Sequence, residues 1–259
     1  MLGKVLKHDI KTCARYYLPM YLLFAVVVFI NKVYLLINPK NSTVSNAFRG
    51  TIISSYVFCL IGVVLLTEIF LVIHFYRKCI SREGYLTFTL PVKTGTHLLS
   101  KCINSALWHI ISYGCIVLSL VIFLSPDEWN IIRALLRIIS MPFSTINITG
   151  FTTFLILTAL TRLFTAPLIF FASMSMGQIV TRHKILASIG FYLAFYIVFS
   201  MISSFGSSFL YIGAEVIFSG NESISLMILS AFSFLLALLQ ACLYYFLSYF
   251  FLDRKLNLT

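Results

Sequence analysis

The sequence predicts an all-α membrane protein of six transmembrane helices, preceded by an N-terminal amphipathic helix on the inner membrane surface. Three observations carry this. Of the 259 residues, 60% are hydrophobic and 10% charged. Soluble domains carry about 25% charged residues, so a soluble fold of this chain would lack the polar side chains to cover its surface. Apolar stretches of about 20 residues, the length that crosses the hydrocarbon core, recur along the chain. Finally, 19 Lys and Arg against 8 Asp and Glu give a net charge of +11, and the basic residues flank the apolar stretches. There they orient a membrane protein and meet anionic headgroups, so the charge is topological and no nucleic-acid partner is expected. The six cysteines are scattered and the prolines number only six, which excludes a disulfide scaffold and a disordered chain.

Residues 1–15 place Val5, Leu6 and Ile10 among Lys4, Lys7, His8, Asp9 and Lys11, the pattern of a basic interfacial helix. The apolar stretch at about 16–37 is too long for the core of a signal peptide and lacks a small-residue cleavage site, so it reads as a permanent first span. The second span covers about 51–76 and the third 102–124. The fourth covers 151–180, with a start anywhere between Phe151 and Leu163; the fifth covers 185–205 and the sixth 224–251. The whole chain, 1–259, is then one transmembrane domain.

Lys and Arg in the connections set orientation. The N-terminal segment, the second and fourth connections and the C-terminal tail hold thirteen of them, the opposite side five. Both termini of a multi-pass protein of the cell membrane are therefore expected in the cytoplasm. Two outer connections are more than simple loops. Residues 125–146 set Trp129, Ile132, Leu135, Leu136 and Ile139 around Arg133 and Arg137, which suggests an amphipathic helix at the outer interface. Residues 206–220 are apolar and glycine-punctuated, and read either as a re-entrant or interfacial segment packed against protein or as a loosely structured outer loop.

Catalytic and cofactor motifs are absent. There is no H-E-x-x-H, G-x-S-x-G or phosphate-binding G-x-x-x-x-G-K-[ST], and no C-x-x-C to suggest metal or redox work. The five histidines are isolated from one another, and only His109 lies well inside a span, where hydrogen bonding to a neighbouring helix is the ordinary role. Two charges also fall within spans, which makes each a functional candidate. Glu68 marks either a translocation cavity or subunit interface, or a carboxyl that is protonated or capped by a hydroxyl. Arg162 is either intramembrane or marks the outer end of a span starting at Leu163. Counted from the inner span ends, their depths differ by about 15 Å at 1.5 Å per residue, which argues against a direct ion pair unless Pro167 kinks the helix. Ser173 and Gly177, four apart, allow close helix approach, within one bundle or across a dimer seam.

The second connection, 77–101, is too long for a hairpin between spans. It carries Tyr85, Leu86, Phe88 and Leu90 after a Glu83-Gly84 turn, with Pro91 ending the run. An apolar knob on a cytoplasmic loop needs something to bury it, either a cytosolic partner or the headgroup layer.

The run Glu83-Gly84-Tyr85-Leu86-Thr87-Phe88-Thr89-Leu90-Pro91-Val92, with Ser100-Lys101 opening the third span, resembles the first cytoplasmic loop of ABC-2-type transporter permeases of Gram-positive bacteria. Met176 to Leu186 resembles the short inner turn between their fourth and fifth spans, and Arg254 to Leu258 resembles their ending. About thirty residues carry this resemblance, over a six-span plan common to the whole chain. It implies a permease that pairs with a second copy or a paralogue, and with two separate cytosolic ABC ATPase subunits that bind ATP and magnesium. Segment 77–101 would contain a coupling helix seated in the ATPase, with Glu83, Gly84, Tyr85, Leu86, Phe88 and Pro91 making the contact; residues 1–15 would be the interfacial elbow helix. The expected function is that of a non-enzymatic exporter subunit forming the path for a hydrophobic or amphipathic compound, such as a peptide antibiotic or drug. The alternatives are an intramembrane enzyme, a protease or a lipid-modifying one, using Glu68 or His109, and a membrane anchor or immunity protein that only recruits a partner.

Overall fold

The computed structural model describes residues 2–37, 43–81, 84, 94–123, 130, 133, 148–180, 182–218 and 222–254. Six long helices account for nearly all of them: α1 (Leu2–Ile37), α2 (Thr43–Phe75), α3 (Thr94–Phe123), α4 (Ile148–Gly177), α5 (Lys184–Ile217) and α6 (Glu222–Arg254). A π-helical turn, Tyr76–Ile80, prolongs α2. Each of the six is long and apolar enough to cross a membrane. Their outward faces are apolar too, with Phe58 74% and Phe209 81% exposed. In water such faces would be costly, and in lipid they are the solvated surface.

The helices outrun several expected boundaries. Residues 2–15 are helical, but as the first turns of α1 rather than as a separate element. Residues 206–217 are neither a re-entrant segment nor a loose loop; they complete α5. Their glycines did not break the helix because Phe205, Phe209, Ile212 and Val216 continue its apolar surface into surroundings that reward any hydrogen-bonded backbone. Of the expected connection 77–101, residues 77–80 belong to the π turn and 94–101 to α3. The outer amphipathic helix at 125–146 lies outside the described residues, save Asn130 and Arg133.

Packing divides the bundle into two groups of three, α1 with α2 and α3, and α4 with α5 and α6, which meet where α2 and α3 contact α4 and where α3 contacts α6. The first core centres on Tyr17. Its ring stacks on Trp108 with centroids 4.4 Å apart, and its hydroxyl donates to the Thr67 carbonyl oxygen at 3.1 Å. One buried side chain thus satisfies its polar tip and ties α1 to both neighbours. The second core joins the groups. Phe75 stacks on Phe171 at 4.0 Å, with Leu98, Cys102, Tyr244 and Leu252 buried around them. These contacts bring the Ile80, Thr94, Gly177 and Arg254 ends of α2, α3, α4 and α6 to one end of the bundle, the basic end.

Gly177 serves packing inside the bundle. A Cβ there would stand 2.9 Å from both the Lys184 carbonyl oxygen and Ser188 Cα and would overlap Ser188 Oγ, so α4 and α5 approach this closely only over glycine. Gly177→Val is expected to cost about 1–3 kcal/mol through overpacking, read as a lower melting temperature of the detergent-solubilised chain. Unchanged melting would mean that the α4–α5 turn yields freely.

Candidate functional site

Between the helices lies a laterally open cavity of ≈ 1340 Å³ to which α2, α3, α4, α5 and α6 all contribute, with Ile156 and Tyr196 of its wall more than half exposed. It exceeds the several hundred Å³ of an ordinary small-molecule pocket. Aliphatic side chains of α2 and α4, among them Ile69, Ile156 and Leu160, form part of the wall. On α5 the wall carries Tyr192, stacked on Phe170 at 4.7 Å, and the hydroxyls of Ser200 and Ser204.

Glu68, His109 and Arg162, scattered in sequence, all line this one cavity. Their ordering by depth explains why this was not legible. The helix carrying Glu68 continues through the π turn to Ile80, so Glu68 stands twelve residues from that end. His109 stands fifteen from Thr94 and Arg162 fifteen from Gly177. At 1.5 Å per residue these are depths of about 18–22 Å, nearly level, where the sequence boundaries separated Glu68 and Arg162 by about 15 Å. Because α4 begins at Ile148, Arg162 lies in mid-helix and does not mark the outer end of a span starting at Leu163.

Glu68 is partnered by an imidazole rather than by a hydroxyl. Its Oε1 lies 2.7 Å from His109 Nε2, and His109 Nδ1 lies 2.8 Å from the Ser105 carbonyl oxygen. A carbonyl oxygen only accepts, so Nδ1 carries a proton, and one more proton lies between Nε2 and Oε1. Whichever atom holds that second proton, the pair as a whole is neutral. His109 is 3% exposed and Glu68 24%. The carboxyl's other oxygen, Oε2, is buried without a hydrogen-bond partner among the described residues.

Arg162 donates from Nη1 to Gln240 Oε1 on α6 at 2.8 Å. Among the described residues it has no acidic partner. Gln240 is neutral, so the bond orients the guanidinium without compensating its charge, and the remaining N–H groups are available to an acceptor in the cavity.

A second polar cluster, invisible as such in the sequence, sits towards the basic end. Lys101 on α3 donates to Asp9 Oδ1 on α1, and both residues are 3% exposed. Ser100 Oγ donates to Asp9 Oδ2 at 2.8 Å. His74 on α2 approaches with Nε2 3.3 Å from Lys101 Nζ and 3.6 Å from Asp9 Oδ1. The signal available was that Asp9 is the one acidic residue of the basic N-terminal segment. Lys101 read as a loop charge because α3 was expected to start at Cys102, and His74, which read as isolated, joins this cluster.

Of the residues assigned to the coupling loop, Glu83, Tyr85, Leu86, Phe88 and Pro91 lie outside the described residues. Gly84 is described: its N–H donates to the Ser81 carbonyl oxygen at 2.7 Å, and a Cβ there would stand 2.8 Å from the Cys79 carbonyl oxygen. The chain thus leaves α2 through a turn that glycine makes possible. No three His, Cys, Asp or Glu among the described residues converge as metal ligands would. Compared with family sequence models, with curated proteins and with solved structures, the chain matches none.

Proposed function

We propose that the chain is the permease subunit of an ATP-binding cassette exporter of the ABC-2 type, acting with a second permease and with cytosolic ATPase subunits that bind ATP and magnesium. The observation that supports this best is the cavity. An open cleft of ≈ 1340 Å³ collects Glu68, His109, Arg162 and Gln240 from four helices, and ionisable groups within a membrane are costly enough that a cluster of them marks a substrate or ion pathway. A mixed lining of aliphatic, aromatic and hydroxyl groups suits a hydrophobic or amphipathic cargo. The two groups of three helices could rock against each other around it, driven by the ATPase through the connection between α2 and α3. Both termini would then be cytoplasmic, with the basic end facing the ATPase in the cell membrane.

The test is gentle detergent extraction of the tagged chain from its native membrane, mass spectrometry of what co-purifies, and an ATPase assay. A stoichiometric soluble ATPase with vanadate-sensitive turnover is expected. Recovery of the chain alone, under conditions that preserve known complexes, would overturn the reading.

The hydrogen-bonded Glu68–His109 pair favours a second reading, an intramembrane enzyme using the pair for proton transfer. Under it, Glu68→Gln and His109→Gln would each abolish a chemical conversion that needs no ATP.

A further inference from the structure

We infer that the cavity is a binding site for the anionic head of an amphiphile, a carboxylate or a phosphate ester, held by the Arg162 guanidinium. Glu68, His109 and Arg162 are the lining residues that carry acidic or basic side chains, and the Glu68–His109 pair is neutral as a unit by its own hydrogen bonds. Among the described residues the cavity therefore holds one net positive charge, on Arg162. A lone guanidinium at mid-helix depth in a membrane protein is costly unless an anion or water meets it.

Geometry makes the same point. Gln240, 5% exposed, fixes one edge of the guanidinium through Nη1. The other N–H groups have no acceptor among the described residues, and a planar fork of donors matches the two oxygens of a carboxylate or phosphate. The body of the ligand is specified by the wall. Leu155, Ile156 and Leu160, on the helix that carries Arg162, are exposed and line the same cavity, so an alkyl chain can lie along α4 while its head reaches Arg162. Tyr192 and Tyr196 face it from α5. The ligand class is thus a single-headed anionic amphiphile with a flexible apolar tail. This deepens the exporter reading by naming the chemistry of its cargo and rests on that reading for the transport step, whereas binding itself does not depend on an ATPase.

The experiment uses the full chain in nanodiscs of phosphatidylcholine and a fluorescent probe, dansyl-labelled undecanoic acid, against its methyl ester. Wild type should bind the acid about tenfold or more tighter than the ester, the scale of one charge-assisted hydrogen-bonded contact. Arg162→Gln, which keeps a hydrogen-bonding side chain, should bring acid and ester to equal affinity. Arg162→Lys should retain most of the preference, and ester binding should stay constant throughout, reporting an intact cavity. Displacement of the acid by phosphatidylglycerol added to the nanodisc would identify the head as that of a membrane lipid; no displacement would identify a free amphiphile. Equal binding of acid and ester by wild type, or an undiminished preference in Arg162→Gln, would overturn the inference. If the preference is found but no ATPase co-purifies, the anion site stands and the exporter reading falls. If an ATPase co-purifies and the preference is missing, the reverse holds.

Discussion

Lys101→Met is expected to destabilise the protein by about 3–5 kcal/mol, the usual consequence of removing one partner of a buried ion pair. Lys101 and Asp9 are each 3% exposed. Without the ammonium, the Asp9 carboxylate would keep the Ser100 hydroxyl and the His74 imidazole but no permanent positive charge. For a chain of this size, at about 2–4 °C per kcal/mol, the melting temperature of the solubilised protein should fall by roughly 6–20 °C. The double variant Asp9→Leu/Lys101→Met is the discriminating measurement. Replacing both charges leaves no uncompensated ion, although the buried Ser100 hydroxyl loses its acceptor, so the double variant should recover most of the loss and melt well above the single one. Should the single variant melt like wild type, the cluster is solvated and does not clamp α1 to α3. Should the double be as unstable as the single, the loss belongs to packing by the lysine stem rather than to charge.

That cluster also shows what the sequence could and could not disclose. Helix class and number were legible, because six apolar stretches must form backbone-satisfied helices in a membrane and no pairing partner has to be guessed. Helix ends were not. Lipid-facing helices have no amphipathic edge to mark where they stop, so α5 ran twelve residues past its expected end and α3 began eight residues early. That second error hid the Asp9–Lys101 pair, because a lysine assigned to a loop carries no sign of burial. Glu68, His109 and Arg162 stood out by residue type in apolar surroundings, a signal independent of helix boundaries. Their convergence on one cavity was not legible, because relative depth depends on the ends of every helix involved, and the π turn after Phe75 adds five residues to the helix carrying Glu68. Gln240 gave no signal; a neutral amide in an apolar helix becomes notable only once Arg162 is seen against it.

The largest functional effect is expected from Tyr85→Asp/Leu86→Asp/Phe88→Asp, which should release the ATPase proposed to dock on the connection between α2 and α3. If these three side chains are buried at that contact, each contributes about 1.5 kcal/mol or more from removal of apolar surface from water. Their combined loss is then about 4–5 kcal/mol, a weakening on the order of a thousandfold at 1.4 kcal/mol per tenfold. A nanomolar complex would become micromolar and dissociate on a column. Three new carboxylates add the cost of desolvating charge at the same contact. The chain leaves α2 by the turn at Gly84, whose N–H is tied to Ser81 and which packs against the Cys79 carbonyl. Gly84→Val should therefore redirect the loop and weaken docking even though all three apolar side chains remain. Melting temperature separates docking from folding in both variants: wild-type melting with the ATPase lost supports the loop as the coupling element. An ATPase that stays bound with unchanged turnover in the triple variant would remove the loop from the coupling path and leave the cavity's charge chemistry as the feature a mechanism has to explain.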